Sequence, residues 1–574
     1  MKKFAMLTVK GAVGLVPRAV RNKLKSNHKL TEFYSRSLQR SGLFYGFPSE
    51  KKRMAMYSAY LTHQNHRLQN LASIDEGARE TSVVIIGVQK LSLTLASLNR
   101  VGVENERIFV VSEQDIEASV HCFTTISDAV NSISPSCRLL FLNSGDTIAK
   151  DSFELFLRCD SSADLVYCDT DKVDVKARRV SPHFLPDWNP DLQLSTGYVF
   201  TGVICRANLI HSNSIASSSI AGLVAELWVK QPQLSVEHIP YTLIHRSFNK
   251  TAITNGLIDI RKVLECATHA ISSYNEELVV NHVQWPIESE PLVSLIIPTK
   301  NGKSLVKACI ESILEKTVYQ NYEILLIDNG SDETESLEYF AKLNKHPKVR
   351  VLSYPGEFNY SAINNFGVQH ACSNSAVIGL VNNDIEVINP YWLTSMVGHA
   401  IRKDVGCVGA KLLYSDGRIQ HAGVVLGYGG GAGHAHKYFP RYHPGYMKRL
   451  IATQNYSAVT AACLLVKKSL FTEVGGLNEE DLTVAFNDVD FCLRVKETGV
   501  RNVYCAEAEL YHHESVSRGL DHAPAKAARF NRELNYLKKK WGKYIEHDPA
   551  YSPNLTLLRE NFSIKAKEEF SSYI

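Results

Sequence analysis

Asp384 ends the run Ser375-Ala376-Val377-Ile378-Gly379-Leu380-Val381-Asn382-Asn383-Asp384, about a hundred residues before Asn487-Asp488-Val489-Asp490 and then His512-His513. In an α/β domain ligands bind at the C-terminal ends of strands, so a carboxylate there is placed to hold a divalent metal while a second acid handles a proton. That combination suits transfer of a group from a diphosphate. Asp488 is the expected general base, taking the proton of an acceptor hydroxyl. Asp490 is its rival if the segment is extended; on a helix the two acids point apart, and Arg494 is placed to neutralise one of them structurally. Asp384 is expected to bind Mg2+ or Mn2+ between two phosphates, with His512 and His513 completing the shell or touching the diphosphate.

Pro298-Thr299-Lys300-Asn301 follows an apolar run and opens a helical one, so its amides and Asn301 can meet a nucleotide base; an ordinary capped strand-to-helix turn would look the same. Asp328 can accept from a base or a ribose hydroxyl, or close an Asx turn with Gly330 and Ser331. Ser331, Asn364, Asn382 and Asn383 complete the expected nucleotide-sugar contacts. Ser517-Arg518-Gly519 reads as a mobile basic loop able to close over phosphate oxygens. Tyr428-Gly429-Gly430-Gly431-Ala432-Gly433-His434-Ala435-His436 lacks the Gly-Lys-Ser/Thr ending of a phosphate loop, and is read as a flexible loop on the acceptor side.

The elements that must carry these residues alternate between β-rich and helical runs, which predicts a mainly parallel sheet. Leu292 to Pro298, Glu323 to Asp328 and Ala376 to Val381 read as strands, with a helix over Leu305 to Glu315. The first half repeats the order in Ser82 to Gly87, Arg107 to Ser112 and Arg138 to Asn143, and Thr242 to Ser247 echoes Glu509 to Glu514. Two domains of one fold explain this. The expected division is a helical, basic region over 1–80, a degenerate copy over 81–275, a catalytic domain over 290–520 and a helical tail over 521–574. Ungapped matching sets Gly145 opposite Asp384, with Asp146 one residue away, and Gly222 or Val224 opposite Asp488. The first copy then reads as a scaffold, a regulator or an acceptor-binding module.

A near-balance of 63 basic and 59 acidic residues gives no reason to expect a nucleic-acid partner. Twelve cysteines with no C-x-x-C pair suggest reduced, cytoplasmic usage. No run reaches the roughly 18 to 20 apolar residues that span a bilayer. The first 25 residues, with Lys10 interrupting the apolar stretch, read as a basic amphipathic helix that either lies peripherally on the anionic cytosolic face of the inner membrane or packs on the protein.

Taken in order and spacing, Ile296 to Asn301, Ile327 to Ser331, Asn382-Asn383-Asp384, Ala458 to Cys463, Asn487 to Asp490 and His512 to Gly519 resemble the family 2 glycosyltransferases. The first half is similar through Asp164 to Lys172 and Phe184 to Asp191. The resemblance implies an α/β, Rossmann-like GT-A fold in tandem, and inverting transfer from a nucleotide-diphosphate sugar to a glycan or lipid-linked glycan, as in O-antigen or capsule synthesis. This chain has Asn382-Asn383-Asp384 where the family often has Asp-x-Asp, and Asn487-Asp488 where Glu-Asp is usual. The alternatives are a bifunctional two-site polymerase and a non-catalytic nucleotide-sugar-binding scaffold.

Overall fold

Continuous apolar runs of β-branched residues and leucine become strands buried on both faces, as central parallel strands must be. The computed structural model describes residues 48–69, 81–114, 119–149, 162–213, 215–247, 250–513 and 524–570. The basic segment before residue 48, and Arg518 with its loop, lie outside the described residues.

The first sheet is built from β1 (Thr81–Ile86), β2 (Ile108–Val111), β3 (His121–Phe123), β4 (Arg138–Asn143), β5 (Thr147–Ile148), β6 (Leu165–Val173), β7 (Arg179–His183), β8 (Val203–Arg206) and β9 (Val236–His245). A two-stranded ribbon, β10 (Ile271–Asn275) and β11 (Val280–Gln284), follows. The second sheet uses β12 (Val293–Thr299), β13 (Tyr322–Asp328), β14 (Val349–Ser353), β15 (Val377–Val381), β16 (Ile385–Val387), β17 (Val405–Leu413), β18 (Ile419–His421), β21 (Gln454–Tyr456), β22 (Cys463–Lys467) and β23 (Arg501–His512). Between them in sequence, β19 (Val424–Leu426) and β20 (Ala432–His434) form a small hairpin.

The two sheets share one plan. Their orders are β3-β2-β1-β4-β8-β6-β9-β5 and β14-β13-β12-β15-β22-β17-β23-β16. Parallel and antiparallel neighbours fall at the same places in both. This is the mixed α/β class that the resemblance implies.

Five helices support the crevice or join the sheets: α1 (Glu50–Gln69), α2 (Ile220–Lys230), α3 (Tyr360–Gln369), α4 (Asn487–Glu497) and α5 (Pro524–Glu546). α1 packs on the first sheet, where the Tyr57 hydroxyl donates to Asp171 and Thr242 N–H donates to Gln64 Oε1 at 3.0 Å. The sheets are clasped by two asparagines. Asn189 Nδ2 donates to the Asn455 carbonyl at 2.8 Å, and Asn455 N–H returns to Asn189 Oδ1 at 2.9 Å. Beside them Arg402 Nη1 meets Asp191 Oδ1 at 2.6 Å, a buried pair that holds the Asp191 carboxyl far below its usual range. The segment after α5 straps both units: Asn554 Nδ2 donates to Asp169 Oδ2 at 3.1 Å, and Asp548 accepts Leu426 N–H at 2.8 Å and Ser457 Oγ–H at 2.6 Å.

Candidate active site

β12 is the point where the second sheet reverses direction, since β13 and β14 build out on one side and β15 on the other. Such a switch point opens a crevice at the strands' C-terminal ends. The register shows where it begins: β12 pairs with β15 only as far as Ile296↔Leu380, yet pairs with β13 through Thr299↔Asp328. Pro298, which has no N–H to give a ladder, therefore sits buried where β12 has lost one neighbour. Thr299 and Asn383 face each other across the opening, Asn383 Nδ2 donating to Thr299 Oγ1 at 2.9 Å.

Asp384 stands one residue before β16, whose Ile385 pairs with His512 on β23. That pairing brings His512 Nε2 to 3.2 Å from Asp384 Oδ1. Asn382 Nδ2 is also 3.2 Å from this nitrogen, and His512 Nδ1 lies 2.8 Å from Gln420 Oε1 on β18. His513 takes the opposite direction, because successive strand residues face opposite sides. Its Nε2 lies 3.2 Å from Glu386 Oε2 and its Nδ1 2.7 Å from Ser415 Oγ. The expectation that His513 shares the metal corner is corrected: one imidazole, that of His512, reaches it. Among the described residues no group of three or more His, Cys, Asp and Glu side chains is gathered for a metal. The pair present nonetheless fits a divalent ion such as Mn2+, which takes an imidazole beside a carboxylate, because adjacent ligands about 2.1 Å from one octahedral centre stand about 3 Å apart and phosphates and water supply the rest.

Asp488 occupies the first turn of α4. Its Oδ2 accepts the Ala461 N–H at 3.1 Å, and burial raises its pKa. The Tyr360 hydroxyl, at the start of α3, lies 3.1 Å from both Asn382 Oδ1 and the Ala461 carbonyl. One frame, Asp384–His512–Asn382–Tyr360–Ala461–Asp488, thus joins the two acids. Tyr360 was missed by sequence reasoning, and nothing local to it marks the role.

Asp490 belongs elsewhere. α4 turns it away from Asp488 into the interior, where Arg494 Nε at 2.8 Å, Lys540 Nζ at 3.0 Å and Trp541 Nε1 at 2.9 Å all converge on its carboxylate. The catalytic expectation for Asp490 is corrected to a structural one. Asp490→Ala should cost about 2–3 kcal/mol of stability by leaving the partly buried Arg494 guanidinium and the buried Trp541 N–H without their acceptor, read as a lowered urea midpoint; an unchanged midpoint would refute that role.

The nucleotide side also needs revision. Asn301, at φ +55°, spends its side chain on the next turn: Oδ1 accepts Asp332 N–H at 2.9 Å and Glu333 N–H at 3.1 Å, and Nδ2 donates to Asp332 Oδ1 at 2.7 Å. Asp328 Oδ1 accepts Ser331 N–H at 3.0 Å and its hydroxyl at 2.5 Å, so the Asx turn is real. Asn364 is wholly buried on α3 with Nδ2 donating to the Tyr360 carbonyl at 2.8 Å, and a ligand in the crevice does not reach it. The glycine-rich run is no loose loop. A Cβ at Gly431 would stand 2.7 Å from Leu534 of α5, and one at Gly427 2.6 Å from the Ile545 carbonyl. The glycines let the β19–β20 hairpin slide beneath α5, bringing His434 Nδ1 to 2.8 Å from His421 Nδ1.

Register also revises the matching of the first sheet to the second. Thr147 pairs with His245 as Ile385 pairs with His512, so Asp146, rather than Gly145, stands opposite Asp384. Asp146 is buried, accepting Thr201 Oγ–H and Ser247 N–H at 2.7 Å each, with its pKa raised by burial to about 6. His245 lies 2.5 Å from Asp171 instead. The first turn of α2 carries no acid.

Residues 294–475 match the family described as glycosyl transferase family 2. They form a family 2 glycosyltransferase domain. Asp384 lies inside that match, whereas Asp488 and His512 follow it in sequence. The chain is 40% identical over 472 residues to y4gI, an uncharacterised protein of Sinorhizobium fredii, spanning 78% of this chain and 52% of that one. It is 30% identical over 452 residues to the O-antigen biosynthesis protein RfbC of Myxococcus xanthus, spanning 75% of this chain and 34% of the relative. It is 26% identical over 230 residues to the N-acetylglucosaminyl-diphospho-decaprenol L-rhamnosyltransferase of Mycobacterium tuberculosis, or 37% of this chain and 74% of that one. The chain therefore spans about half of the first relative and a third of the second.

Proposed function

We propose that the family 2 domain transfers a sugar, with inversion, from a nucleotide-diphosphate donor to a hydroxyl of a growing cell-surface glycan. The observation that carries this reading is the single hydrogen-bonded frame holding Asp384 and His512 at one end and Asp488 at the other. The names of the relatives support the substrate class, one acting in O-antigen biosynthesis and one on a polyprenyl-diphosphate-linked sugar.

Asp488 takes the proton as the acceptor oxygen attacks the anomeric carbon from the face opposite the diphosphate. Asp384 and His512 would hold Mg2+ or Mn2+, which supplies positive charge to the departing diphosphate. Gln420 accepts from His512 Nδ1–H, which orients the imidazole and leaves Nε2 for the ion in place of its contact with Asn382, and Tyr360 ties Asn382 to the wall that positions Asp488. Thr299 and Asn383 border the nucleotide. Action at the cytosolic face of the inner membrane, with peripheral contact, belongs to the same proposal; among the described residues no helix is long and apolar enough to cross a membrane. The first unit acts as a scaffold, since Asp146 is committed to Thr201 and Ser247 and the first turn of α2 carries no acid.

Release of nucleoside diphosphate across a panel of nucleotide sugars, with and without Mn2+, tests the reading; no release from any donor with a lipid-linked acceptor present would reject it. A pH profile adds a second check. A base works only when ionised, so kcat/KM should fall as the pH drops through the raised pKa of Asp488, placing the acid limb above the ordinary carboxylate value of about 4. A limb at or below that value would remove Asp488 from the role.

A further inference from the structure

Four segments line a cavity of about 320 Å3: α1, the β9 residues Pro240 and Tyr241, Leu426 of β19, and the strap after α5. Its volume is that of a small-ligand site. α1 turns Tyr60, His63 and Arg67 toward it at helical spacing, and the strap adds Tyr551, Lys565 and Phe570. His63 stacks on Phe570 with ring centroids 5.2 Å apart.

The charges on this wall are arranged oddly for a structural junction. Burial, together with Arg67, His66 and Lys565 nearby, depresses the basicity of His63. Lys565 is only 9% exposed, and the Glu569 carboxylate nearby offsets part of its charge. Among the described residues neither His63 nor Arg67 has a carboxylate at ion-pair distance. Two acids also line the cavity, but Asp548 turns its oxygens to Leu426 and Ser457 of the second unit, and Glu546 is exposed at the rim. With His63 held toward its neutral form, an anion in the cavity would meet Arg67 and Lys565 as charges and the imidazole as a hydrogen-bond donor. The tyrosines and phenylalanine that complete the lining offer flat apolar faces to a ring.

We propose that this cavity is a second ligand site, independent of the crevice, that takes a nucleoside phosphate: the phosphate against Arg67, His63 and Lys565, the ring against the aromatic lining. Binding needs no metal and does not depend on the transferase reading. The full chain, in EDTA, is titrated calorimetrically with UMP, GMP and inorganic phosphate as wild type, Arg67→Glu, Lys565→Gln and Asp384→Ala. One nucleoside monophosphate per chain is expected, bound more tightly than inorganic phosphate, weakened roughly tenfold or more by Arg67→Glu and by Lys565→Gln, and unaffected by Asp384→Ala. Arg67 is exposed on its helix, so its replacement leaves the fold intact. No binding, equal affinity for inorganic phosphate, indifference to Arg67→Glu, or loss in Asp384→Ala would each overturn the proposal, the last by assigning the ligand to the crevice.

Discussion

Asp488→Asn should bind donor as tightly as the wild type and turn over at least about a hundredfold more slowly, the usual worth of a positioned general base. The amide has the shape of the carboxylate and keeps an oxygen for the Ala461 N–H, so the wall and the start of α4 stay in place. What it loses is the ability to take a proton. Steady-state release of nucleoside diphosphate, paired with donor titration, separates the two quantities. Unaltered turnover would move the base elsewhere, and a matching loss of donor affinity would make Asp488 a binding residue instead.

Asp384→Ala carries the larger expected effect, a loss of about a thousandfold in metal-dependent transfer, because charge stabilisation of a leaving diphosphate is worth several kcal/mol. His512 remains anchored by Asn382 and Gln420, so the variant should fold. Chelation of the wild type should reproduce the defect. The same measurement decides between one site and two: a variant that kept about half of the wild-type release would show that the first unit also transfers sugar, despite the burial of Asp146.

The strands were readable because parallel strands buried on both faces appear as uninterrupted apolar runs, and the shared order of the two halves was visible in them. The sequence leaves the segment of Asp488 open between extended chain and the helix that it forms, but the place of Asp384 after such a run was also readable. What depends on parity was not. Whether His512 or His513 meets Asp384 is a matter of one residue in strand register, and the same single step separates Gly145 from Asp146 in the first copy. Asn301 shows another limit: the residue looks the same whether it greets a ligand or caps the turn beside it, and only the positions of Asp332 and Glu333 reveal the latter. Tyr360 acts through partners 22 and 101 residues away, a relation that no local pattern encodes.

The asparagine clasp and the strap govern how this protein comes apart. Asn455 is held by the first unit only six residues before Ala461, whose N–H holds Asp488, and residues 547–554 bond both units at once. Neither sheet can loosen alone without exposing the buried Asp191–Arg402 charges of the joint. Two units that look separable in sequence should thus melt as one cooperative body, and damage in the first of them should lower the working population of the second.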